Sequence, residues 1–157
     1  MRTPILLAAF AFFLSFGLAP AAIAASAEIY QSGKDDKEVG ENLAAGGYDV
    51  VAYFSEKKPV LGTKEFETTW KNAKWRFSSK ENLEKFQKTP EAFAPQFGGY
   101  CALALAYNSL APGDPKAWSI VNGKLYLNLS PEIRAQWDKQ KQSLIPRAEK
   151  NWPKVLK

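Results

Sequence analysis

The clearest alternation of apolar and polar positions lies around Asn122-Gly123. An Asn-Gly pair between alternating apolar residues is typical of a two-residue hairpin turn, because both turn positions need a positive φ. The pattern predicts a β-hairpin over residues 118–128. One face of this hairpin would carry four apolar side chains, which are Trp118, Ile120, Leu125 and Leu127. We expect the hairpin to lie beneath the Gly-Gly-Tyr-Cys turn at residues 98–101.

Two further strands are predicted over residues 66–70 and 75–77, with Asn72 in the turn between them. Residues 48–54 are rich in β-branched and aromatic side chains, which is typical of a buried strand or a tight strand-like turn.

The helices are predicted from their capping residues. Ser78 and Glu81 form a capping-box pattern that predicts a helix over residues 80–88. Ser130-Pro131 predicts a second helix start, and Ser143 would cap a further helix with Pro146 in its first turn. Together, these elements predict a small single α+β domain, with a short antiparallel sheet and C-terminal helices.

The N-terminal segment has the pattern of a secretory signal peptide. Arg2 precedes an apolar run over residues 5–18, and Ala22-Ile23-Ala24 fits a small-x-small cleavage site. The run is too short for a comfortable membrane span. We therefore expect a signal peptide at 1–24, a mobile lead-in at 25–46 and the domain at 47–157. The mature protein would be periplasmic or secreted, without a stable membrane span.

Charge and composition exclude several function classes. The chain has 21 basic and 16 acidic residues, and its formal net charge is +5. The basic residues are scattered, whereas a nucleic-acid partner would need a clustered stripe. Because there is no histidine, no Ser–His or Cys–His catalytic pair can form. We therefore expect a non-enzymatic protein that binds a small ligand, a metal or an envelope protein, in an oligomeric state that the sequence leaves open.

Cys101 is the only cysteine, so it cannot form an internal disulfide. Three readings stay open for it: a small buried hydrophobe, a redox or adduct-forming thiol, and a metal ligand. A helix starting after Cys101 would favour the reactive thiolate, whereas its apolar neighbours favour the neutral thiol. A redox role is the weaker reading, because no second cysteine is present to resolve a mixed disulfide.

Aromatic residues are the other candidates for a binding site. Tyr53, Tyr100, Tyr107 and Trp118 could line a ligand cleft, although aromatic residues at strand spacing also form ordinary core. Asp49 and Asp114 lie next to turn residues, so we expect them to form turns or caps.

Five separated motifs resemble the exported YHS-domain proteins of bacteria. They are residues 47–54 (GYDVVAYF), 98–102 (GGYCA), 114–118 (DPKAW), 123–128 (GKLYLN) and a tail with Trp137, Ala148 and 151–153 (NWP). The resemblance implies a treble-clef-like core and a binding role related to metal. In that family a histidine often follows the cysteine by six residues, and here that position is Tyr107.

The resemblance implies a metal site with Cys101 as thiolate ligand and Tyr107 in place of the histidine. Copper and zinc prefer thiolate and imidazole ligands, so we expect such an ion to bind weakly if at all. The first functional hypothesis is therefore a binding module related to metal through Cys101. The alternative is a module that binds a small ligand or a protein partner in an aromatic cleft, with a structural Cys101.

Overall fold

A computed structural model describes residues 25–157 of the chain. The signal peptide expected over residues 1–24 lies outside the described residues. Within residues 25–157, no helix combines the length and the apolar character needed to cross a bilayer.

Three antiparallel pairs of strands form the β structure of the described residues. They are β1 (Gln31–Ser32) with β2 (Leu43–Ala44), β3 (Thr63–Trp70) with β4 (Ala73–Phe77), and β5 (Asp114–Val121) with β6 (Lys124–Asn128). The helices are α1 (Ala52–Ser55), α2 (Lys80–Lys88), α3 (Pro90–Phe93), α4 (Ala102–Ala106) and α5 (Pro131–Asn151). Short 3₁₀ turns lie at Ala45–Gly47, Gln96–Gly99 and Lys154–Leu156. The predicted small α+β class is confirmed, and the treble-clef likeness stays a prediction.

The hairpin predicted from Asn122-Gly123 is present as β5 and β6. Trp118 lies opposite Leu127, and Ile120 lies opposite Leu125. Asn122 and Gly123 have φ values of 51° and 74°, as the two-residue turn requires. Strand β5 begins at Asp114, whereas the hairpin was expected to begin at Trp118. Cys101 forms a parallel bridge with Leu127, so the hairpin does lie beneath the turn that carries the cysteine.

The β5–β6 hairpin separates two hydrophobic clusters. Successive side chains of a strand point to opposite faces, so Leu125 and Leu127 enter one cluster and Tyr126 enters the other. The first cluster joins the hairpin to β4 through Trp75 and Phe77 and to α2 through Phe86, and Phe66 and Trp70 of β3 pack against it. The second joins it to α4 and α5, and Trp137, Leu144 and Ala148 supply the inner stripe of α5.

The strand or strand-like turn expected over residues 48–54 is wrong in its second half, where α1 begins at Ala52. The Asp49 carboxylate accepts hydrogen bonds from the backbone N–H groups of Val51 and Ala52, at 2.9 and 3.3 Å. These bonds hold the backbone in a turn, and the two N–H groups are then not available to pair with a neighbouring strand. The expectation that Asp49 forms a turn or cap is confirmed.

Two capping predictions also need correction. The cap of α2 is Ser79, whose hydroxyl oxygen accepts from the N–H of Asn82 at 3.2 Å. Ser143 caps no new helix, because α5 continues through it and includes Pro146 in its interior. The Ser143 hydroxyl instead donates to the carbonyl of Gln140 at 2.9 Å. Packing of the inner stripe against the second cluster keeps α5 continuous in spite of the proline.

Residues 25–46 contribute to the folded domain. Ile29, Val39, Leu43 and Ala44 are all buried in this segment. Strand β2 pairs with β1, and Ile29 and Ala44 belong to the first hydrophobic cluster. The boundary expected at residue 47 therefore does not coincide with a change in packing.

Candidate functional site

A cleft of about 380 Å³ lies where the tips of the two large hairpins come together, and we name it the hairpin cleft. The turn after β3 supplies Lys71, the turn before β6 supplies Gly123, and the first residue of β6 is Lys124. The aromatic walls of the cleft are Trp70, Phe97 and Trp152, and its acidic side chains are Glu28 and Glu91. These residues come from the N-terminal segment, both hairpins, α3, the 3₁₀ turn at Gln96–Gly99 and the chain after α5.

Left-handed backbone shapes two walls of the hairpin cleft. Lys71 and Asn72 have φ values of 50° and 58°, and Phe97 and Gly98 have values of 57° and 61°. Such values are uncommon for lysine and phenylalanine, because the Cβ atom crowds the backbone. Strained backbone of this kind concentrates at binding and catalytic sites.

Gly98 allows the N-terminal segment to approach the cleft closely. A Cβ atom at Gly98 would lie 1.8 Å from the carbonyl oxygen of Glu28. Two hydrogen bonds fix the same contact: Tyr30 N–H donates to the carbonyl of Gly98 at 2.9 Å, and the Tyr100 hydroxyl donates to the carbonyl of Ala27 at 2.9 Å. Glu28 is thereby positioned at the edge of the cleft.

The charged side chains of the cleft are largely paired. Lys71 forms an ion pair with Glu28, and its Nζ atom lies 4.9 Å from the ring centroid of Trp70. Lys124 lies 3.7 Å from a carboxylate oxygen of Glu149 on α5. The cleft therefore combines aromatic surface with side chains that can donate and accept hydrogen bonds, which is the composition of a small-molecule site.

Cys101 lies elsewhere and is buried, with 1% of its surface exposed. Its thiol donates to the side-chain oxygen of Asn128 at 3.7 Å, and the N–H of Leu103 donates to the same oxygen at 3.2 Å. Asn128 is itself fully buried, and its Nδ2 atom has no hydrogen-bond partner among the described residues. These contacts fit a structural thiol between the start of α4 and the end of β6.

Tyr107 does not share a site with Cys101. The two residues flank the two ends of α4, which separates them by about 9 Å along the helix axis. Tyr107 is 60% exposed, and the guanidinium carbon of Arg147 lies 4.7 Å from its ring centroid. With Arg147 and Lys150, Tyr107 lines a second cavity of about 380 Å³.

The residues present do not fit the metal site that the resemblance implies. A buried thiol and an exposed phenol cannot bind one ion from these positions. Within residues 25–157, no group of three or more His, Cys, Asp or Glu side chains is placed to hold a metal.

The four aromatic candidates do not form one cleft. Tyr53 and Trp118 pack together with ring centroids 5.2 Å apart. The Tyr53 hydroxyl donates to the carbonyl of Pro115 at 2.7 Å, and burial raises the pKa of Tyr53 far above its usual range. Tyr100 belongs to the second hydrophobic cluster, and Tyr107 faces α5. None of the four is among the residues that line the hairpin cleft.

The residues of the hairpin cleft were missed at the level of sequence, although both hairpin turns were predicted. Asn72 and Asn122-Gly123 locate the two tips in the chain, but nothing local indicates that the tips meet.

Comparisons with protein-family models, with curated proteins and with solved structures each return no match.

Proposed function

We propose that this chain is an exported, non-enzymatic binding module of the YHS type, which holds a small organic ligand in the hairpin cleft. Cys101 then has a structural role. The observation that carries the proposal is the meeting of the two hairpin tips around Trp70, Phe97 and Trp152. A volume of about 380 Å³ is within the usual range for sites that bind small molecules.

The chemistry of the cleft supports binding without catalysis. Its lining includes no Ser, Thr, Cys or Tyr side chain among the described residues, so no hydroxyl or thiol nucleophile faces the ligand. Since the chain has no histidine, the most common general base is lacking as well.

The positions of the motif residues support the YHS part of the proposal. The motifs at 98–102 and 123–128 are in contact through the bridge between Cys101 and Leu127. Val50, Val51 and Tyr53 of the motif at 47–54 lie in the same hydrophobic cluster as Leu125 and Leu127. The quoted motifs thus pack on the two faces of the β5–β6 hairpin, in the two hydrophobic clusters that it separates.

The proposal is tested by mapping the binding of a phenyl-bearing probe on the mature chain by NMR. We expect benzyl alcohol to shift the resonances of Trp70, Phe97 and Trp152 in a saturable way. Ala92 is exposed and lines the cleft, so Ala92→Trp should fill the cleft and abolish these shifts. Ala135 is exposed on α5 outside the cleft, which makes Ala135→Trp the matched control. Saturable binding that is unchanged by Ala92→Trp would locate the ligand elsewhere and overturn the proposal.

A further inference from the structure

We infer that the ligand of the hairpin cleft carries an organic cation such as an ammonium group, and that the Lys71 side chain occupies the place of this cation in the free protein. This inference rests on the proposed function of the cleft and names the class of ligand that it takes.

The Lys71 ammonium already makes the two contacts that recognise such a cation. Its Nζ atom lies 4.9 Å from the centroid of the Trp70 ring, within the distance at which a cation is attracted by the electron-rich face. The same atom forms an ion pair with the Glu28 carboxylate. An aromatic ring and a carboxylate that share one cation form a subsite for ammonium, and both line the cleft.

The backbone at Lys71 is unfavourable for a lysine. Its φ of 50° matches that of Asn122, which begins the turn of the other hairpin with a φ of 51°. Asparagine and glycine are preferred at such turn positions, and Asn122 follows that preference. Strained backbone is a reason to look for function. Here the residue with the unfavourable backbone is Lys71, and its side chain lines the cleft and contacts Glu28 and Trp70.

Lys71 can leave the subsite at little cost. The Lys71 and Glu28 side chains are 41% and 50% exposed, and ion pairs with that degree of exposure are weak because water and salt screen them. A ligand cation held by several other contacts in the cleft can therefore displace the lysine. The released side chain then extends into water.

The remaining charges favour a cation over an anion. Once Lys71 leaves, the charged side chains that still line the cleft are those of Glu28, Glu91 and Lys124, two of them negative and one positive. An anion bound to Lys71 would lie close to the Glu28 carboxylate. A cation in place of the Lys71 ammonium would instead form an ion pair with the Glu28 carboxylate. The net positive charge of the whole chain opposes cations at long range, but salt screens such forces beyond about 10 Å.

Three probes of similar shape and different charge test the inference: benzylammonium, benzyl alcohol and benzoate, titrated at pH 7 and followed by NMR. We expect benzylammonium to bind the mature protein most tightly. Lys71→Ala should raise its affinity about threefold to tenfold, because a weak surface competitor is removed. The affinity for benzyl alcohol should change much less. Glu28→Gln should lower the affinity for benzylammonium and spare benzyl alcohol.

Lys57 provides a matched control, because it is an exposed lysine with a left-handed φ of 57° that does not line the cleft. Lys57→Ala should leave all three affinities unchanged. Tightest binding of benzoate, or weaker benzylammonium binding in Lys71→Ala, would overturn the inference and leave the cleft as a binding site. An unchanged benzylammonium affinity in Lys71→Ala would overturn it as well. If none of the three probes perturbs the cleft, the proposed function fails together with the inference.

Discussion

Ser78 donates two hydrogen bonds to the buried carboxylate of Asp49, one from its backbone N–H at 2.9 Å and one from its hydroxyl at 2.7 Å. Asn82 Nδ2 donates a third at 2.7 Å, and the N–H groups of Val51 and Ala52 donate to the other carboxylate oxygen. The carboxylate thus ties together α1, the end of β4 and α2. All its partners are neutral donors, so its charge is stabilised by hydrogen bonds alone.

Asp49→Asn should strongly destabilise the protein. The new NH₂ group would face donors where the carboxylate accepted hydrogen bonds, and bonds to a buried charged group are each worth about 1.5–3 kcal/mol. We expect a loss of at least about 3 kcal/mol in the free energy of unfolding, measured by chemical denaturation.

Asp36→Asn is the control for that substitution, because Asp36 is exposed and its carboxylate also accepts from two nearby backbone N–H groups, at 2.8 and 3.2 Å. We expect it to cost about 1 kcal/mol or less. Equal losses in the two variants would mean that the buried network contributes nothing beyond a local turn.

Gly98→Ala should be much more harmful than Gly123→Ala. Both glycines have a positive φ, 61° and 74°, so an alanine is strained at either position by about 1–2 kcal/mol. Only at Gly98 would the new methyl group meet the Glu28 carbonyl, whereas nothing lies within 4 Å at Gly123. Thermal and chemical unfolding of the two variants measure the difference. Equal stabilities would show that the N-terminal segment does not pack against Gly98 in solution.

The Cys101 thiol should react with a disulfide reagent only when the protein unfolds, because 1% of the residue is exposed. We expect its labelling rate to rise with denaturant in parallel with the unfolded fraction. A reference thiol is supplied by Ser109→Cys in a Cys101→Ala background, since Ser109 is exposed just after α4. That variant should react at once without denaturant. Equally fast labelling of native Cys101 would contradict the structural role.

Stability should fall in acid through Glu41. The hydrogen bond from Lys74, opposed by partial burial and reinforced by the charge of Arg76, holds the pKa of Glu41 below its ordinary value of 4.5. A lowered pKa in the folded state stabilises the protein above about pH 4.5, and this contribution is lost as the pH falls through the folded-state value. We therefore expect Glu41→Gln to lower the unfolding free energy at pH 7, with the difference shrinking below about pH 4.5.

Glu65→Gln is the control for the acid effect, because Glu65 is exposed on β3 and forms no ion pair within residues 25–157. Its stability curve against pH should follow that of the native chain. A Glu41→Gln curve with the same pH dependence as the native chain would show that this carboxylate contributes nothing to acid sensitivity.

The relative positions of Cys101 and Tyr107, on which the metal hypothesis depends, could not be predicted from the sequence. The position of Tyr107 relative to Cys101 depends on where α4 begins and ends, and on which side each residue meets α5 and β6. Those contacts bury Cys101 beside Asn128 and place Tyr107 under Arg147. Helical spacing separates the two only once the bounds of α4 are known, because a helix over the whole segment between them places them at its opposite ends.

Elements with local signals could be predicted from the sequence. Asn122-Gly123 provides the positive φ values of its turn, and Ser130-Pro131 provides the cap and first residue of α5. In these places neighbouring residues supply both the conformation and the hydrogen bonds that satisfy it. The small α+β class followed from the same local signals.

The other features depend on contacts between distant parts of the chain. Helix α1 replaces the second half of an expected strand because Asp49 satisfies the backbone there, and its carboxylate is held in turn by Ser78 and Asn82. The hairpin cleft joins Glu28, Trp70 and Trp152, which are far apart along the chain. Their meeting depends on two packed clusters and on the close approach that Gly98 permits, and such long-range contacts leave no periodic pattern in the sequence.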